Sequence, residues 1–422
     1  MQEFKTILKS QKFMELWTSQ ILSQVTINIM NFLILTRLFV VTGSTIATSL
    51  LWIAYALPAV FLGPIGAASV DMVNRRKMLM ITNLLQGLTI FSYIFFHNPT
   101  IFILYGIVLA YSILNQFYVP AESAYLPSAV GKKDLSYANS LFFITQQASL
   151  IVGFGFAGLL QSLLGFNGSI ILCSIFLFLA FVSTSFLPDV KPVKKAGLSF
   201  EETLKTFFDS ILEGYEFIKN NKGILFPLLL ILGIQAGLTI IAVSLPVIAK
   251  EILNIPVNLS GISVVVPAGI GATLGSIYVS KMIKNKMRKK NIIEYSLGYV
   301  AFAMLFISIG IPLMPLVVRV TLTWLLIVLV GFGFVGINIP TITYLQEKTP
   351  LWLRGRVFGN LGFLVTIVTI FPVLFSGFIS EIFGVRTLFT IIGLIVLFVF
   401  IYAKRNGQDF VEDNFTMEMT KK

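Results

Sequence analysis

The chain has 422 residues, of which 56% are apolar and only 12% are charged, and its mean hydropathy is +0.89. A soluble domain carries about twice that share of charged residues, so the composition excludes a soluble globular protein. The net charge of +12 would suggest nucleic-acid binding in a soluble chain, but in a membrane protein cations mark the loops on one side. We therefore expect a multi-pass membrane protein that binds no nucleic acid.

Twelve long apolar stretches follow one another along the chain, and each is long enough to cross a bilayer. Backbone groups in lipid must be satisfied within the segment, so the sequence predicts an all-α integral membrane protein with twelve transmembrane helices. The predicted spans cover residues 14–36, 47–69, 78–96, 101–118, 137–160, 168–187, 224–249, 258–280, 291–311, 315–340, 357–378 and 386–403. The charged N-terminus leads directly into a full-length span, which indicates no cleaved signal peptide.

The lysines and arginines are distributed unevenly between the two sides of the predicted membrane. Only Arg37, Lys250, Arg319 and Arg386 fall on the side opposite the termini. The positive-inside rule then places both termini in the cytoplasm and the protein in the cell (inner or plasma) membrane. The lone cysteine, Cys173, has no partner for a disulfide, and we expect neither a metal site nor a cofactor.

A long polar stretch divides the chain between the sixth and seventh spans. We predict a six-helix bundle over residues 1–190, a cytoplasmic linker over 191–222, a second six-helix bundle over 223–404 and a cytoplasmic tail over 405–422. Within the linker, Ser199 and Glu202 match a capping box, and the apolar residues that follow recur at helical spacing. The linker is therefore predicted to hold an amphipathic helix at the membrane surface.

The two halves repeat each other at fixed offsets. Pro58 precedes Gly66 by the same distance as Pro267 precedes Gly275, 209 residues later. Two further glycine pairs, 158 with 165 and 377 with 384, lie 219 residues apart. Such offsets indicate two duplicated bundles, and small residues allow close helix contact. The predicted helix-packing positions are Gly66, Gly153, Gly158, Gly275 and Gly377.

The stretch from Gly63 onward, GPIGAASVDMVNRRKMLM, places one acid before three consecutive cations. It resembles the loop between helices two and three of the major facilitator superfamily, G-x-x-x-D-x-x-x-x-R-[RK]. Asp71, Arg76 and Lys77 match, whereas Asn74 stands where the family usually has glycine. LPAVFLGPIGAASVDMVNRRK, FYVPAESAYLPSAVGKKDLSYANSLFFITQQ and LRGRVFGN are similar to drug efflux proteins of the macrolide-efflux type. IVGFGFAGLL resembles the antiporter motif of helix five, with Phe154 in place of proline.

This resemblance implies an inner gate at the charged loop. The gating residues would be Asp71, Arg75, Arg76, Lys77 and Glu122. The family pattern pairs the acid with the start of helix eleven, here Gly355–Asn360, and an arginine with Glu122 at the cytoplasmic end of helix four. The alternative is that the loop only anchors the topology.

Polar side chains inside the predicted spans mark a candidate substrate path. In helix one, Gln20, Gln24, Asn28 and Asn31 share an arc of about 80° at 3.6 residues per turn. They either hold helices together through amide hydrogen bonds or line a cavity, and the duplicated fold favours the cavity. Further cavity candidates are Asn115, Gln146, Gln235 and Asn338. We find no acid near the middle of any predicted span, so we expect a neutral cavity.

The predicted function is secondary transport, because the sequence contains no Walker-type phosphate loop. The expected mechanism is alternating access with export of a small amphiphilic substrate by proton antiport, performed by a monomer in the lipid bilayer. Glu122 and Asp71 are the best candidates for the proton site. The alternatives are an exporter or flippase of a siderophore or lysophospholipid, or a membrane enzyme or receptor. An enzyme needs convergent catalytic groups, which this chain lacks.

Overall fold

The computed structural model describes residues 7–70, 72–96, 100–131, 134–190, 222–349 and 351–410, together with Lys205 and Asp209. Only the backbone is described for residues 351–360. The described part of the chain is helical and contains no strand, which confirms the all-α prediction.

The N-terminal half contains six helices. They are α1 (Gln11–Thr42), α2 (Thr45–Ser69), α3 (Arg75–Phe91, followed by a 3-10 turn at Ser92–Phe95), α4 (Ile101–Ala129), α5 (135–164) and α6 (166–185).

The C-terminal half contains six more helices in its described part. They are α7 (Lys222–Val247, continued by a π turn at Ile248–Leu253), α8 (Val266–Lys284), α9 (Lys289–Leu305), α10 (Leu316–Lys348), α11 (351–383) and α12 (385–410). A 3-10 turn at Val257–Leu259 and a π turn at Gly261–Val265 precede α8. A π turn at Phe306–Gly310 and a 3-10 turn at Ile311–Leu313 follow α9.

Within the described residues, ten continuous helical stretches are long and apolar enough to cross a membrane. They form twelve spans, because two of them each contain two spans. Two of these stretches are much longer than one span: Leu135–Ser185 has 51 residues and Leu364–Arg405 has 42. Each contains one residue with non-helical backbone angles, which separates α5 from α6 and α11 from α12. The twelve-helix prediction is therefore confirmed.

The two breaks are formed by glycines at equivalent places in the repeat. Gly165 has φ 69° and ψ 174°, and Gly384 has φ 81° and ψ 157°. This backbone region is essentially restricted to glycine. The 219-residue offset seen in the sequence therefore corresponds to the same chain break in both halves.

Polar side chains cap the helices that position the charged loop. Ser10 Oγ accepts from the Phe13 amide at the start of α1, at 3.4 Å. Asn74 Oδ1 accepts from the Lys77 amide at the start of α3, at 3.3 Å. These caps satisfy amides that have no partner within the helix. Asn74 has φ −62°, so the position where glycine is usual needs no left-handed backbone here.

The helices within each half pack in the same pattern. In the N-terminal half, α2 and α3 pack on α4, and the α5–α6 segment packs on α1 and α3. In the C-terminal half, α8 and α9 pack on α10, and the α11–α12 segment packs on α7 and α9. The chain forms two compact units, Met1–Phe208 and Asp209–Lys422.

Glycines mark the closest helix contacts in both halves. A Cβ added to Gly66 would overlap the backbone carbonyl of Gln116 in α4. That carbonyl is four residues before Pro120, which has no N–H to donate to it. In the C-terminal half, a Cβ on Gly275 would lie 2.9 Å from the Phe332 carbonyl oxygen in α10. The same pair of helices is thus brought together by a glycine in each half.

The remaining predicted packing glycines also lie inside the halves. Gly153 on α5 faces Asn28 on α1, and a Cβ there would overlap the asparagine side chain. Gly158 and Gly377 are buried. The predicted linker helix falls outside the described residues, apart from two isolated positions, so it stays a prediction.

Several helices are longer than their predicted apolar spans. Helix α4 continues to Ala129, although the predicted span ends at residue 118, and α10 continues to Lys348 instead of residue 340. Pro120, Pro127 and the polar residues between them suggested the end of α4. The helix continues through them because its tyrosines and leucines pack in the interior of the half, and tertiary packing overrides local propensity.

We predict that Gly165→Ala and Gly384→Ala each lower the unfolding temperature of the detergent-solubilised protein. A Cβ in this backbone region costs about 1–3 kcal/mol. Gly106→Ala is the matched control, because Gly106 lies in α4 with no atom within 4 Å of an added Cβ, and it should be neutral or stabilising. Equal unfolding temperatures for all three variants would contradict the prediction. A thermal unfolding assay followed by tryptophan fluorescence measures the difference.

Candidate functional site

The charged loop docks onto the segment that follows α6. Arg76 Nη1 lies 3.2 Å from Asp189 Oδ1, and its second terminal nitrogen donates to the Ser185 carbonyl. Asn74 Nδ2 also donates to Asp189 Oδ1, at 3.1 Å. Asn74 therefore has two functions, because the same side chain caps α3 and holds the carboxylate.

Two further contacts bring α4 into this arrangement. Arg75 Nη1 donates to the Ala124 carbonyl at 3.0 Å, and Tyr125 Oη donates to the Pro188 carbonyl at 2.8 Å. The start of α3, the C-terminal part of α4 and the segment after α6 are thereby joined. We call the set Asn74, Arg75, Arg76, Tyr125 and Asp189 the clamp.

The electrostatics of the clamp are those of a partly exposed ion pair. Hydrogen bonds from Asn74 and Arg76 hold the pKa of the Asp189 carboxyl below its usual value. The side chains of Arg76 and Asp189 are 27% and 56% exposed, so solvent screens their attraction. Such a contact fixes geometry at little energetic gain and can be exchanged for another.

The predicted gate is only partly visible in the described residues. Asp71 lies outside them, so its role and partners stay predictions. Lys77 is exposed. Residues 355–360 were expected at the start of helix eleven, but α11 already begins at Leu351. The first four amides of α11, which have no partner within the helix, therefore precede Gly355.

Glu122 differs from its predicted place at the end of helix four. It lies seven residues before the end of α4 and is only 6% exposed. Within the described part of the chain it pairs with no cation, and the acid that Arg76 reaches is Asp189. The predicted pairing of Glu122 with an arginine is therefore not formed by Arg76 here, and the gating role of Glu122 stays a prediction. Because α4 extends beyond its predicted span, Glu122 lies inside the helix, on the buried face that also carries Tyr118 and Tyr125.

Glu122 instead belongs to a chain of buried hydrogen bonds between α1, α3 and α4. Tyr118 Oη donates to Glu122 Oε1 at 2.8 Å, and Ser23 Oγ donates to Tyr118 Oη at 3.1 Å. Ser19 Oγ lies 3.3 Å from the same hydroxyl and accepts from Asn83 Nδ2 at 3.0 Å. We call these five residues the buried carboxyl network.

The amide stripe of α1 divides into two groups. Gln20 is 4% exposed, and its Nε2 donates to the Phe142 carbonyl of α5 at 3.2 Å. Asn28 is 8% exposed, donates to the Gln24 carbonyl at 2.7 Å and packs on Gly153. These contacts favour the packing alternative for Gln20 and Asn28, and their cavity role stays a prediction. Gln24 and Asn31 are half-buried and remain cavity candidates.

The other cavity candidates lie on four different helices. Asn115 on α4 is half-buried, with its Nδ2 3.4 Å from Tyr55 Oη, and Gln146 on α5 is exposed. Gln235 on α7 and Asn338 on α10 are half-buried. The structure brings none of these four into a shared hydrogen bond among the described residues.

The C-terminal half ties its corresponding helices with different chemistry. Lys289 at the start of α9 lies 2.5 Å from Glu347 near the end of α10. At the start of α12, Glu251 Oε2 accepts from the Val385 amide at 3.1 Å. An acid at a helix N-terminus interacts favourably with the helix dipole. At the start of α9, Lys289 therefore contacts the carboxylate of Glu347, whereas Arg75 at the start of α3 contacts a backbone carbonyl of α4.

The sequence alone did not identify the residues that complete the clamp and the buried carboxyl network. Tyr111, Tyr118 and Tyr125 recur every seven residues in α4, and Glu122 is one turn after Tyr118, so all four share one helix face. That spacing could have revealed the buried carboxyl. No comparable signal marks Asp189, because its contact is between distant parts of the chain. Among the described residues, no group of three His, Cys, Asp or Glu could hold a metal ion.

Comparison with known proteins places these features in a family. The model of the Major Facilitator Superfamily matches residues 16–372. The chain belongs to this superfamily. It is 25% identical to the multidrug efflux pump Tap of Mycolicibacterium fortuitum, over 86% of this chain and 87% of Tap. It is 23% identical to macrolide efflux protein A of Streptococcus pyogenes, over 92% and 93% of the two chains.

A solved structure supports the fold independently. A mutant of the nucleoside transporter NupG superposes with a TM-score of 0.74 at 15% identity, covering 93% of this chain and 99% of NupG. The protein is therefore a multi-pass membrane transporter of the major facilitator fold.

We predict that Asp189→Asn lowers the unfolding temperature at neutral pH but not in strong acid. The folded-state pKa of Asp189 lies below the unfolded value of about 3.9, so its contribution is present above that value and is lost as pH falls through the folded-state pKa. Wild type and variant should therefore converge at low pH. Thermal unfolding measured over a pH series tests this.

Arg76→Ala should destabilise more than Asp189→Asn, because it also removes the bond to the Ser185 carbonyl. The double variant should lose less than the sum of the two, since the two groups share one contact. Lys281→Ala, which removes an exposed cation of the second half, is the control. Strictly additive losses would contradict the clamp.

Cysteine labelling should distinguish the two groups of α1 amides. Labelling of the native cysteine should be low, because Cys173 is fully buried. A charged maleimide should label Gln24→Cys and Gln146→Cys readily and Asn28→Cys slowly, although Gln24 and Asn28 are one turn apart. Ile175→Cys, on an exposed apolar stripe of α6, should react only with a lipid-soluble reagent. Rapid labelling of Asn28→Cys would contradict its packing role.

Proposed function

We propose that the protein is a secondary exporter of amphiphilic drugs and similar small molecules. It acts as a monomer in the bacterial cell membrane, with both termini in the cytoplasm, and works by alternating access with proton antiport. The observation that carries this proposal is similarity along nearly the whole chain to two efflux proteins, macrolide efflux protein A and Tap.

The chemistry of the accessible polar residues supports an amphiphilic and neutral cargo. Gln24, Asn31 and Gln146 are at least partly exposed and uncharged. Amides offer both donors and acceptors, and apolar walls with a few polar groups suit drug-sized ligands. A permanently charged cargo would need a compensating charge among these residues, and they supply none.

The gate proposal extends to the loop between α2 and α3. Asp71, Arg75, Arg76 and Lys77 form it, and the clamp shows how two of them are held within the first half. Partly exposed contacts of this kind are weak, because solvent screens them. Weak contacts suit a gate, because a transporter must populate more than one state.

Transport by purified protein in proteoliposomes tests the proposal. An imposed pH gradient should drive accumulation of a radiolabelled macrolide or a fluorescent dye, because proton flow down its gradient drives substrate in the opposite direction. The ionophore nigericin should abolish accumulation, and protein-free liposomes provide the control.

The outcome also discriminates between cargoes. No gradient-dependent movement of any macrolide or dye, together with movement of a labelled lysophospholipid or siderophore, would overturn the drug proposal. Accumulation that persists after nigericin treatment would overturn proton coupling while leaving export intact.

A further inference from the structure

Glu122 is the least expected group in the first half, because it is a buried acid that pairs with no cation among the described residues. Its hydrogen-bond partner is the hydroxyl of Tyr118, which in turn contacts the hydroxyls of Ser19 and Ser23. Burying an unpaired carboxylate is costly, and a bound proton removes that cost. The site therefore suits a carboxyl group that gains and loses a proton, in contrast to Asp189, whose carboxylate faces Arg76.

The direction of the hydrogen bonds fits both charge states. Asn83 Nδ2 donates to Ser19 Oγ, and Ser19 is placed to donate to Tyr118, which donates to Glu122. A row of donors that ends on a carboxylate stabilises its charge. Hydroxyl groups rotate, so a protonated Glu122 can donate in return. An arginine partner would favour only the ionised state.

Some buried polar atoms in and beside this network have no hydrogen-bond partner among the described residues. Asn83 Oδ1 and both amide atoms of Gln86, all fully buried on α3, have no partner among the described residues. Buried polar atoms of this kind are commonly satisfied by water. Water at Asn83 would extend the donor row from Glu122 along α3.

We propose that Glu122 is the proton-binding site of the transporter, with Tyr118 as the residue that positions the carboxyl group and stabilises its ionised form. The carboxylate takes a proton from water on one side and returns it to water on the other, so no other reactant is needed. This inference rests on the proposed proton antiport. The titratable groups that interact with Glu122 are Tyr118 and Tyr111 on α4, and Cys173 on α6 faces Tyr111. On α3, the cation Arg75 donates to the Ala124 carbonyl, two residues from Glu122 along α4.

Infrared difference spectroscopy of the full-length protein tests proton binding without any substrate. On acidification, wild type should gain a C=O stretching band of a protonated carboxyl group that Glu122→Gln lacks. Tyr118→Phe should keep this band and move its midpoint to higher pH by about one unit, because the ionised form loses a donor. Glu294→Gln is the matched control, since Glu294 faces Lys290 at 3.5 Å and should leave the band unchanged.

Transport in proteoliposomes then separates coupling from substrate binding. Glu122→Gln should retain exchange of labelled for unlabelled macrolide across the membrane, yet lose accumulation driven by the pH gradient. Glu294→Gln should retain both. Retained exchange also shows that the Glu122→Gln protein is folded.

The possible results of these two experiments test the Glu122 assignment and the proposed antiport separately. Gradient-driven accumulation by Glu122→Gln, or an unchanged infrared band, would overturn the assignment of Glu122 and leave the exporter proposal standing. Loss of both exchange and accumulation by a Glu122→Gln protein that unfolds at the wild-type temperature would also overturn it, by giving Glu122 a role other than coupling. Absence of gradient-driven transport in wild type would instead defeat the proposed antiport, while the infrared band would still report the proton site.

Discussion

Helices α2 and α4 touch where Gly66 meets a backbone carbonyl that Pro120 leaves without a helical partner. The contact holds the middle of α4 against α2 at a distance that any side chain on residue 66 would prevent. The buried face of α4 carries Tyr118, Glu122 and Tyr125, and this face therefore lies in the interior of the first half. Tyr118 then meets α1, while Tyr125 meets the segment after α6. Both the carboxyl network and the clamp depend on this close approach.

The two duplicated halves share the same helix contacts but differ in the polar groups that connect their helices. The second half again packs its equivalents of α2 and α4 through a glycine, Gly275, and again breaks its last helix pair at a glycine. Its equivalent of α3 is tied by Lys289 to the carboxylate of Glu347, whereas Arg75 uses a backbone carbonyl of α4. A backbone carbonyl, unlike the carboxylate of Glu347, cannot take up a proton at physiological pH. Backbone geometry is thus common to the halves, and side-chain electrostatics distinguishes them.

The sequence predicted what depends on local pattern and failed where long-range contacts decide. Apolar length gave all twelve spans, and the repeated glycine spacing marked both helix breaks, because lipid and backbone geometry restrict each segment separately. Polar residues were harder to place. Glu122 was expected at a helix end, since Pro120 and Pro127 are poor helix residues, yet packing carries α4 past both. Asp189 could not be foreseen, because its partners are more than a hundred residues away.

Helix α1 is shared by two polar surfaces, and this arrangement connects the proposed proton site to the proposed cargo path. Ser19 and Ser23 face the carboxyl network of α3 and α4. Gln20 and Gln24, each one residue after a serine, lie about 100° farther round the same turns, toward α5 and the accessible amide side. A proton on Glu122 changes which hydroxyls donate on the first surface. Because both surfaces belong to one helix, an adjustment of α1 that suits one charge state of Glu122 would also displace the amides, which is the differential interaction that the proposed coupling requires.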